Sequence, residues 1–431
     1  MKVLILGGYG FIGAEIMRAC ADAGFDCTGL GRSAATGRRL IPEVKWIGAD
    51  IGKLDAPGKW APHLAGVEAI VNAAGALQDG ARDDLGAIHH RAIAALIVAA
   101  EKAGVRQFAQ ISAPGAEMSA STAFMRTKAA GDAAIRASSL DWTVLKPGLV
   151  IGRGAYGGTA LLRMLAGFPL ATPLVHASAR VQTVALDDVA GAVVAVVKGE
   201  VPTRRDYDLV EEEAHTLREI VRGFRRQLGF SPARVELDIP VWAAAPVVAL
   251  ADVAGALGWR SPLRSTALKV MRENVLADAS AWRGASGRSL KTFDETLAVM
   301  PGDAQDRIFA RAQLALPLMV VALGVFWIIS GAIGFVAIDA AAAHLSAHAG
   351  DGAARTLVIA GSLADLAIGA GLLVRRTSRA AAIASVIIAV LYLVAGTLIE
   401  PTLWLDPFGA LAKIIPLTAM GLAVALLLEE R

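Results

Sequence analysis

Short apolar runs and helical-period stretches alternate through the first two hundred residues. Residues 3–6, 26–30, 44–47, 69–72, 107–111 and 143–145 are strand-like, being brief, apolar and closed by glycine or polar residues. Between them, residues 11–23 and 84–103 carry apolar side chains at helical spacing, and Gly24 and Gly104 end these stretches. Strands and helices in this alternation predict an α/β fold with a doubly wound parallel Rossmann sheet. From residue 314 the pattern changes. Residues 314–338 hold no charge, 356–374 hold only Asp365, 380–399 hold none, and 410–428 carry Lys413 near one end. About 20 apolar residues suffice to cross a bilayer, so four transmembrane helices forming an all-α bundle are expected.

Residues 180–282 read as a small capping region. Within it Thr216 is an expected N-cap for a helix ending near Leu228 and Gly229. Ile220, Val221, Phe224 and Leu228 form its apolar stripe, opposite Arg218, Arg222, Arg225 and Arg226. That basic face is either solvated or laid against anionic lipid headgroups. Residues 241–257 are apolar but short, and Pro246 and Asp252 interrupt them, so a buried or interfacial helix is expected there. Residues 286–311 are a polar connection, which divides the chain at about residue 300 into a nucleotide-binding half, 1–300, and a membrane half, 301–431.

Composition follows this division. The chain is 55% hydrophobic with a mean hydropathy of +0.53, and the excess lies in the second half. A net charge of +3 gives no case for nucleic-acid binding. Cys20 and Cys27 fit the role of small, reduced, buried residues, and no His/Cys/Asp spacing supports a metal site. Met1 and Lys2 lead straight into VLIL, which predicts no N-terminal signal peptide. Arg307, Arg311, Arg375, Arg376, Arg379 and Arg431 flank one side of the four stretches, whereas Arg355 and Lys413 flank the other. The positive-inside rule then puts both termini in the cytoplasm of a bacterial-type inner membrane.

The most informative local chemistry follows the first strand. Gly7, Gly10 and Gly13 stand between a strand and a helix, so that the backbone can turn sharply and approach a pyrophosphate. The first helical amides, at Phe11, Ile12 and Gly13, would face that phosphate. At the end of the second strand an NAD site usually keeps an acid for the ribose, yet Arg32 stands there and Asp26 is at the wrong end. A guanidinium suits a 2′-phosphate, so NADP(H) is expected in preference to NAD(H).

The segments LILGGYGFIG, IHHRAIAAL, QISAPGA, WTVLKPGLVIG and VQTVALDDVA resemble the atypical and extended short-chain dehydrogenase/reductase superfamily over residues 1–229. Within it the likeness is to the nucleotide-binding accessory subunit of respiratory complex I and its bacterial relatives. The resemblance implies that Gly7, Gly10 and Gly13 hold the pyrophosphate, that Asp50 and Ile51 border the adenine, and that Ala73, Ala74 and Gly75 lie against the ribose. It also implies a Tyr-x-x-x-Lys pair and a serine for proton chemistry. Lys128 and Ser112 match, but Phe124 stands where the tyrosine belongs. Of the four tyrosines, Tyr156 in RGAYGG is the candidate replacement, and His89 is a candidate on the nicotinamide side.

GSLADLAIGAGLL and LYLVAGTLIEPTLWLDPFGALAKIIP resemble the DoxX-like family of four-helix membrane domains, whose relatives are associated with quinone or thiol redox chemistry. A carboxylate inside a span is costly, so Asp365, near Gly361, Ser362 and Gly369, is expected either to be a hydrogen-bonded packing group or to bind a proton or headgroup. Two functions are consistent with this reading. One is a membrane-anchored NADP(H)-dependent oxidoreductase acting on a quinone or other lipid-soluble partner. The other is a non-catalytic nucleotide-binding accessory or sensor. An epimerase or dehydratase of a lipid-linked sugar is a third, disfavoured by Phe124. The sequence does not name a substrate or an oligomeric state.

Overall fold

The computed structural model describes residues 1–80, 83–154, 157–259, 261, 263–272, 275–300 and 302–428, the side chains of Ala267, Val270 and Met271 excepted. They form two compact units, one of Met1–Ala251 with Pro262–Arg307, the other of Asp252–Ser261 with Ile308–Arg431.

In the first unit, β1 (Lys2–Leu6), β2 (Asp26–Gly31), β3 (Lys45–Gly48), β4 (Ala69–Asn72), β5 (Gln107–Ile111), β6 (Asp141–Pro147) and β7 (Arg205–Leu209) build one sheet. Their order is β7-β6-β5-β4-β1-β2-β3, and every pairing is parallel. The order reverses beside β1, which opens the crevice where such folds bind ligands, outside the carboxyl ends of the strands. β1 alternates its two faces. Val3 and Ile5 pack with Ile16, Met17, Val189 and Val193 from the helices Phe11–Asp22 and Leu186–Lys198. Leu4 and Leu6 pack on the other side with Ile93, Leu96 and Ile135 from the helices Ala92–Lys102 and Ala123–Arg136. All four β1 side chains are fully buried, as a strand covered on both faces requires. Cys20 and Cys27 are both free thiols in this core.

Outside the large sheet there are short pairings, among them Ala171–Leu174 with Val235–Asp238 in parallel and Arg180–Val181 with His215–Thr216 antiparallel. Thr216 caps the helix Leu217–Gln227 as expected, within a capping box completed by Glu219. The arginines of this helix have partners within the protein. Arg222 pairs with Glu236 at 2.7 Å, Arg218 with Glu236 and Asp238, and Arg225 turns inward to the carbonyls of Ala166 and Phe168, both at 2.8 Å.

In the second unit three helices are long and apolar enough to cross a membrane, Ala304–Val336, Asp351–Leu373 and Ser378–Ile399. The first begins ten residues earlier than the apolar pattern, because Arg307 and Arg311 continue the helix without being apolar. The fourth expected stretch forms a shorter helix than the apolar pattern suggested. Residues 401–413 are a short 3₁₀ helix and turns, and the helix proper, Ile414–Leu427, has 14 residues. An additional helix, Ile338–Ala349, follows the first span. Glycines let the first two spans approach closely: a Cβ at Gly331 would come within 2.6 Å of the Ser362 carbonyl oxygen, and one at Gly369 within 2.7 Å of that of Gly324. This approach seats Asp365, which accepts hydrogen bonds from Ser330 at 2.7 Å and Tyr392 at 2.9 Å. Three helices are thereby joined through one carboxyl group.

Candidate functional site

β1 ends at Gly7, whose φ of +71° is the left-handed conformation that favours glycine. A Cβ there would lie 2.9 Å from the Ala74 Cα, so the turn rests directly on the exit of β4. Gly10 N donates to the Gly7 carbonyl at 2.8 Å, and Gly10 precedes the helix. A Cβ at Gly13 would meet the Gly7 oxygen at 2.2 Å, so only glycine lets the helix start this close to the strand end. The first amides of the helix, from Phe11, Ile12 and Gly13, precede the point where intrahelical bonding begins, and they open at the crevice.

The rest of the crevice forms around this turn. Tyr9 fills the place of the missing side chain at Gly31, and its hydroxyl accepts from Ser33 N at 3.1 Å, fixing the end of β2. Arg32, the next residue, is half-exposed and pairs with Asp83 at 2.9 Å. The Asp50 carboxylate accepts from Gly52 N at 3.2 Å and caps the turn Ile51–Lys53, in which Ile51 is buried. Ala73, Ala74 and Gly75 leave β4 beside Gly7, and a Cβ at Gly75 would meet His89 Nε2 at 3.3 Å and Lys128 Nζ at 3.7 Å. The predicted glycine turn, Ala73–Gly75, His89 and Lys128 thus line one continuous stretch of the crevice. Tyr156 lies outside the described residues.

Below that stretch is a buried polar chain. Asn72 accepts from Ala74 N at 3.1 Å and donates to Gln110 at 2.8 Å. Gln110 donates to Asp132 at 3.4 Å, and the Ser112 hydroxyl donates to the other oxygen of Asp132. Asp132 is fully buried, and burial pushes its carboxyl above the usual carboxylate range, against the pull of Ser112 and Lys128. Lys128 Nζ donates to the Ile111 carbonyl at 2.8 Å. Burial lowers its pKa to about 8, with Asp132 opposing the shift. Lys128 and Asp132 are four residues apart on the helix Ala123–Arg136, hence on one face.

His89 accepts from Ala76 N at 3.1 Å through Nε2, which leaves the proton on Nδ1 to be donated to Thr127 at 2.9 Å. Burial first, and the Lys128 charge second, lower its pKa to about 3. It is a neutral packing imidazole with both nitrogens engaged. Phe124 presents its ring edge-on to His89, 5.7 Å between centroids, with Lys128 Nζ 5.9 Å from the ring centre. Its phenyl group has no proton to give, and the Ser112 hydroxyl proton is directed at Asp132 and not at the crevice. Among the described residues the crevice therefore keeps its means of holding a dinucleotide and shows no positioned proton donor at position 124.

Asn72, Tyr9, Asp83, Gln110 and Asp132 were not singled out from the sequence, and neither was Arg163. Arg163 is buried and donates to the carbonyls of Gly152 at 2.6 Å and Arg153 at 3.0 Å, bracing the segment that brings Gly154 against the Phe11 ring. The four-residue step from Lys128 to Asp132 was the one available signal for any of them.

Residues 7–200 match the family model described as NAD(P)H-binding, and residues 324–422 match that of the DoxX-like family. The chain is 26% identical over 242 residues to a ceramide reductase of Caulobacter vibrioides, covering 55% of this chain and 74% of that protein. It is 28% identical over 146 residues to an NAD(P)H azoreductase of Xenophilus azovorans, covering 34% and 47%. It is 24% identical over 250 residues to the NADH dehydrogenase [ubiquinone] 1 alpha subcomplex subunit 9 of Arabidopsis thaliana, covering 55% and 60%. The chain thus spans less than two thirds of the last two. In fold it is similar to the Citrobacter sp. triphenylmethane reductase complexed with NADP(H), at a TM-score of 0.54 and 18% identity over 69% of this chain and 99% of that one. It is likewise similar to the Escherichia coli NADPH-dependent quinone oxidoreductase QOR2, at 0.53 and 17% over 69% and 98%. The chain therefore joins an NAD(P)H-binding domain with a Rossmann fold to a C-terminal DoxX-like segment with membrane-length helices.

Proposed function

We propose that this chain is a membrane-anchored, NADP(H)-preferring reductase of a lipid-soluble acceptor, of which a quinone is the type. What supports the reading is the glycine turn beside Gly75, His89 and Lys128, together with Phe124, which the sequence resemblance puts in the proton donor's place. A reduced nicotinamide, when bound, would supply hydride. Gly7, Gly10 and Gly13 would admit its pyrophosphate, and Lys128 would hold the ribose beside Gly75. Hydride addition to a ketone leaves an alkoxide about as basic as hydroxide, which needs a positioned acid. Addition to a quinone leaves a phenolate-like oxygen, about pKa 10, which water can protonate. A crevice with Phe124 suits the second acceptor class and not the first. The names of two relatives, a ceramide reductase and an azoreductase, fit an apolar or aromatic acceptor.

Arg32 supports the NADP(H) preference, with Asp83 holding its guanidinium at the end of β2. Placement of the nucleotide site on the cytoplasmic side follows from Arg307, Arg311, Arg375, Arg376 and Arg379; Arg431 lies outside the described residues. A second reading, a dinucleotide-binding accessory protein, is favoured by the Ser112 hydroxyl being engaged by Asp132.

The test is Phe124→Tyr in the full-length protein. If Phe124 occupies the donor position, the variant gains reduction of simple ketones by about 10²-fold or more, in the range general acid catalysis supplies. Lys128→Met in that background removes the gain. A variant that binds NADPH normally and gains nothing would show that position 124 does not face the reacting carbon.

A further inference from the structure

We propose that the helix Val241–Ala256 is embedded in the cytoplasmic leaflet of the membrane as a monotopic element, covered by lipid acyl chains. The sixteen residues contain no charge before Asp252, and the helix is apolar all round instead of on one face. Trp242 is 79% exposed, Leu250 71% and Val253 59%, with Val241 and Val247 both above half. An all-round apolar helix is stable only where every face is covered by apolar surroundings. At 1.5 Å per residue it is about 24 Å long, less than the roughly 30 Å of a bilayer core.

Chain connectivity gives the same answer. The chain up to Ala251, which includes most of this helix, and the chain from Pro262 to Arg307 belong to one compact unit, so the chain leaves that unit near the helix end and returns to it. A spanning helix would deliver its two ends to opposite sides. The excursion places Asp252–Ser261 in the unit that contains the membrane-length helices. There Trp259 Nε1 donates to the Leu373 carbonyl at 2.7 Å, and Arg375 N donates to the Leu257 carbonyl at 3.0 Å. Leu373 closes the helix Asp351–Leu373, so the end of the apolar excursion is tied to the end of a membrane-length helix. The Arg375 guanidinium lies 5.6 Å from the centre of the Trp259 ring, an aromatic-cation pair of the kind that sits at headgroup level. In sequence, Arg260, Arg264, Lys269 and Arg272 follow at once, a basic run suited to the anionic lipid of that leaflet.

The inference rests on the membrane reading of the second unit and not on the acceptor proposed above. It is tested on the full-length protein in nanodiscs of phosphatidylcholine and phosphatidylglycerol. Trp242→Cys and Leu250→Cys are each labelled with a polarity-sensitive fluorophore, with Glu43→Cys, on an exposed loop of the nucleotide-binding unit, as the aqueous reference. Cys20 and Cys27 are buried, so unsubstituted protein sets the labelling background. The expected result is blue-shifted emission at 242 and 250, strong quenching by doxyl-labelled lipid, and iodide quenching several-fold weaker than at 43. Iodide quenching equal to that at 43 would overturn the proposal, because the helix would then lie in water. Protection from both quenchers would overturn it too, because protein, whether this chain or a second copy, would be the cover. Two labelled positions guard against one substitution disturbing the helix.

Discussion

Arg32 and His89 show how little a residue type says until its partners are known. On the proposed NADP(H) preference Arg32 would meet the 2′-phosphate, yet it already has a carboxylate, Asp83, at 2.9 Å. A bound phosphate must compete with that carboxylate for the guanidinium. Arg32→Ala should weaken NADPH binding about tenfold or more while leaving NADH binding nearly unchanged, given about 1.5–3 kcal/mol for a charged hydrogen bond. Asp83→Asn should strengthen NADPH binding; fluorescence titration with both dinucleotides checks both, and equal wild-type affinities would contradict the assignment. His89 is the contrary case, a candidate for chemistry that the fold uses for packing. Its folded pKa, about 3, lies below the ordinary 6.5, so between these values the unfolded chain binds the proton and the folded chain does not. Its contribution to stability is complete above about pH 6.5 and is lost as pH falls toward 3. His89→Gln, which can still accept from Ala76 N, should lose less stability than wild type between about pH 7 and pH 4, followed by tryptophan fluorescence during unfolding. The glycine turn and Lys128 were legible because strand, glycines and helix come in one short run. The Ser112–Asp132 bond was not, since no local pattern tells which carboxyl a strand-end hydroxyl will meet twenty residues later.

At the scale of elements, the period of the pattern located nearly everything and mistook some lengths. The parallel sheet followed from the alternation of strand and helix, and its strands lie close to where the apolar runs predicted. The first span was read as short because charge ended the apolar stretch, whereas helix formation runs on through Arg307 and Arg311. The last was read as long because Ala410–Leu411–Ala412 are apolar, although Asp406, Pro407 and Gly409 are turn residues and the helix begins only at Ile414. Fourteen residues make about 21 Å, which can cross only with local thinning and with Lys413 extending to the headgroups. On the proposed topology a reporter fused after Leu428 is active in the cytoplasm, one between Val374 and Arg379 likewise, and one within residues 340–351 is accessible from outside. A reporter after Leu428 found outside would show that the final helix turns back without crossing.

Taken whole, the molecule joins an NAD(P)H-binding Rossmann unit to a DoxX-like segment with membrane-length helices. The close approach of Gly13 to Gly7, which leaves no room for a side chain, and Lys128 beside Gly75 are the features that the proposed function assigns to dinucleotide binding. On the proposed function, Phe124, the inward-turned Ser112 and the doubly bonded His89 favour acceptors whose reduced form needs no enzyme acid. The most direct measurement is therefore the acceptor profile of the purified, membrane-reconstituted wild-type protein, followed as loss of the reduced nicotinamide absorbance in single turnovers. Decay of NADPH with a long-chain quinone, and none above background with a ketone of matched hydrophobicity, is the predicted result. Brisk ketone reduction, or tight dinucleotide binding with no decay for any acceptor, would contradict the account.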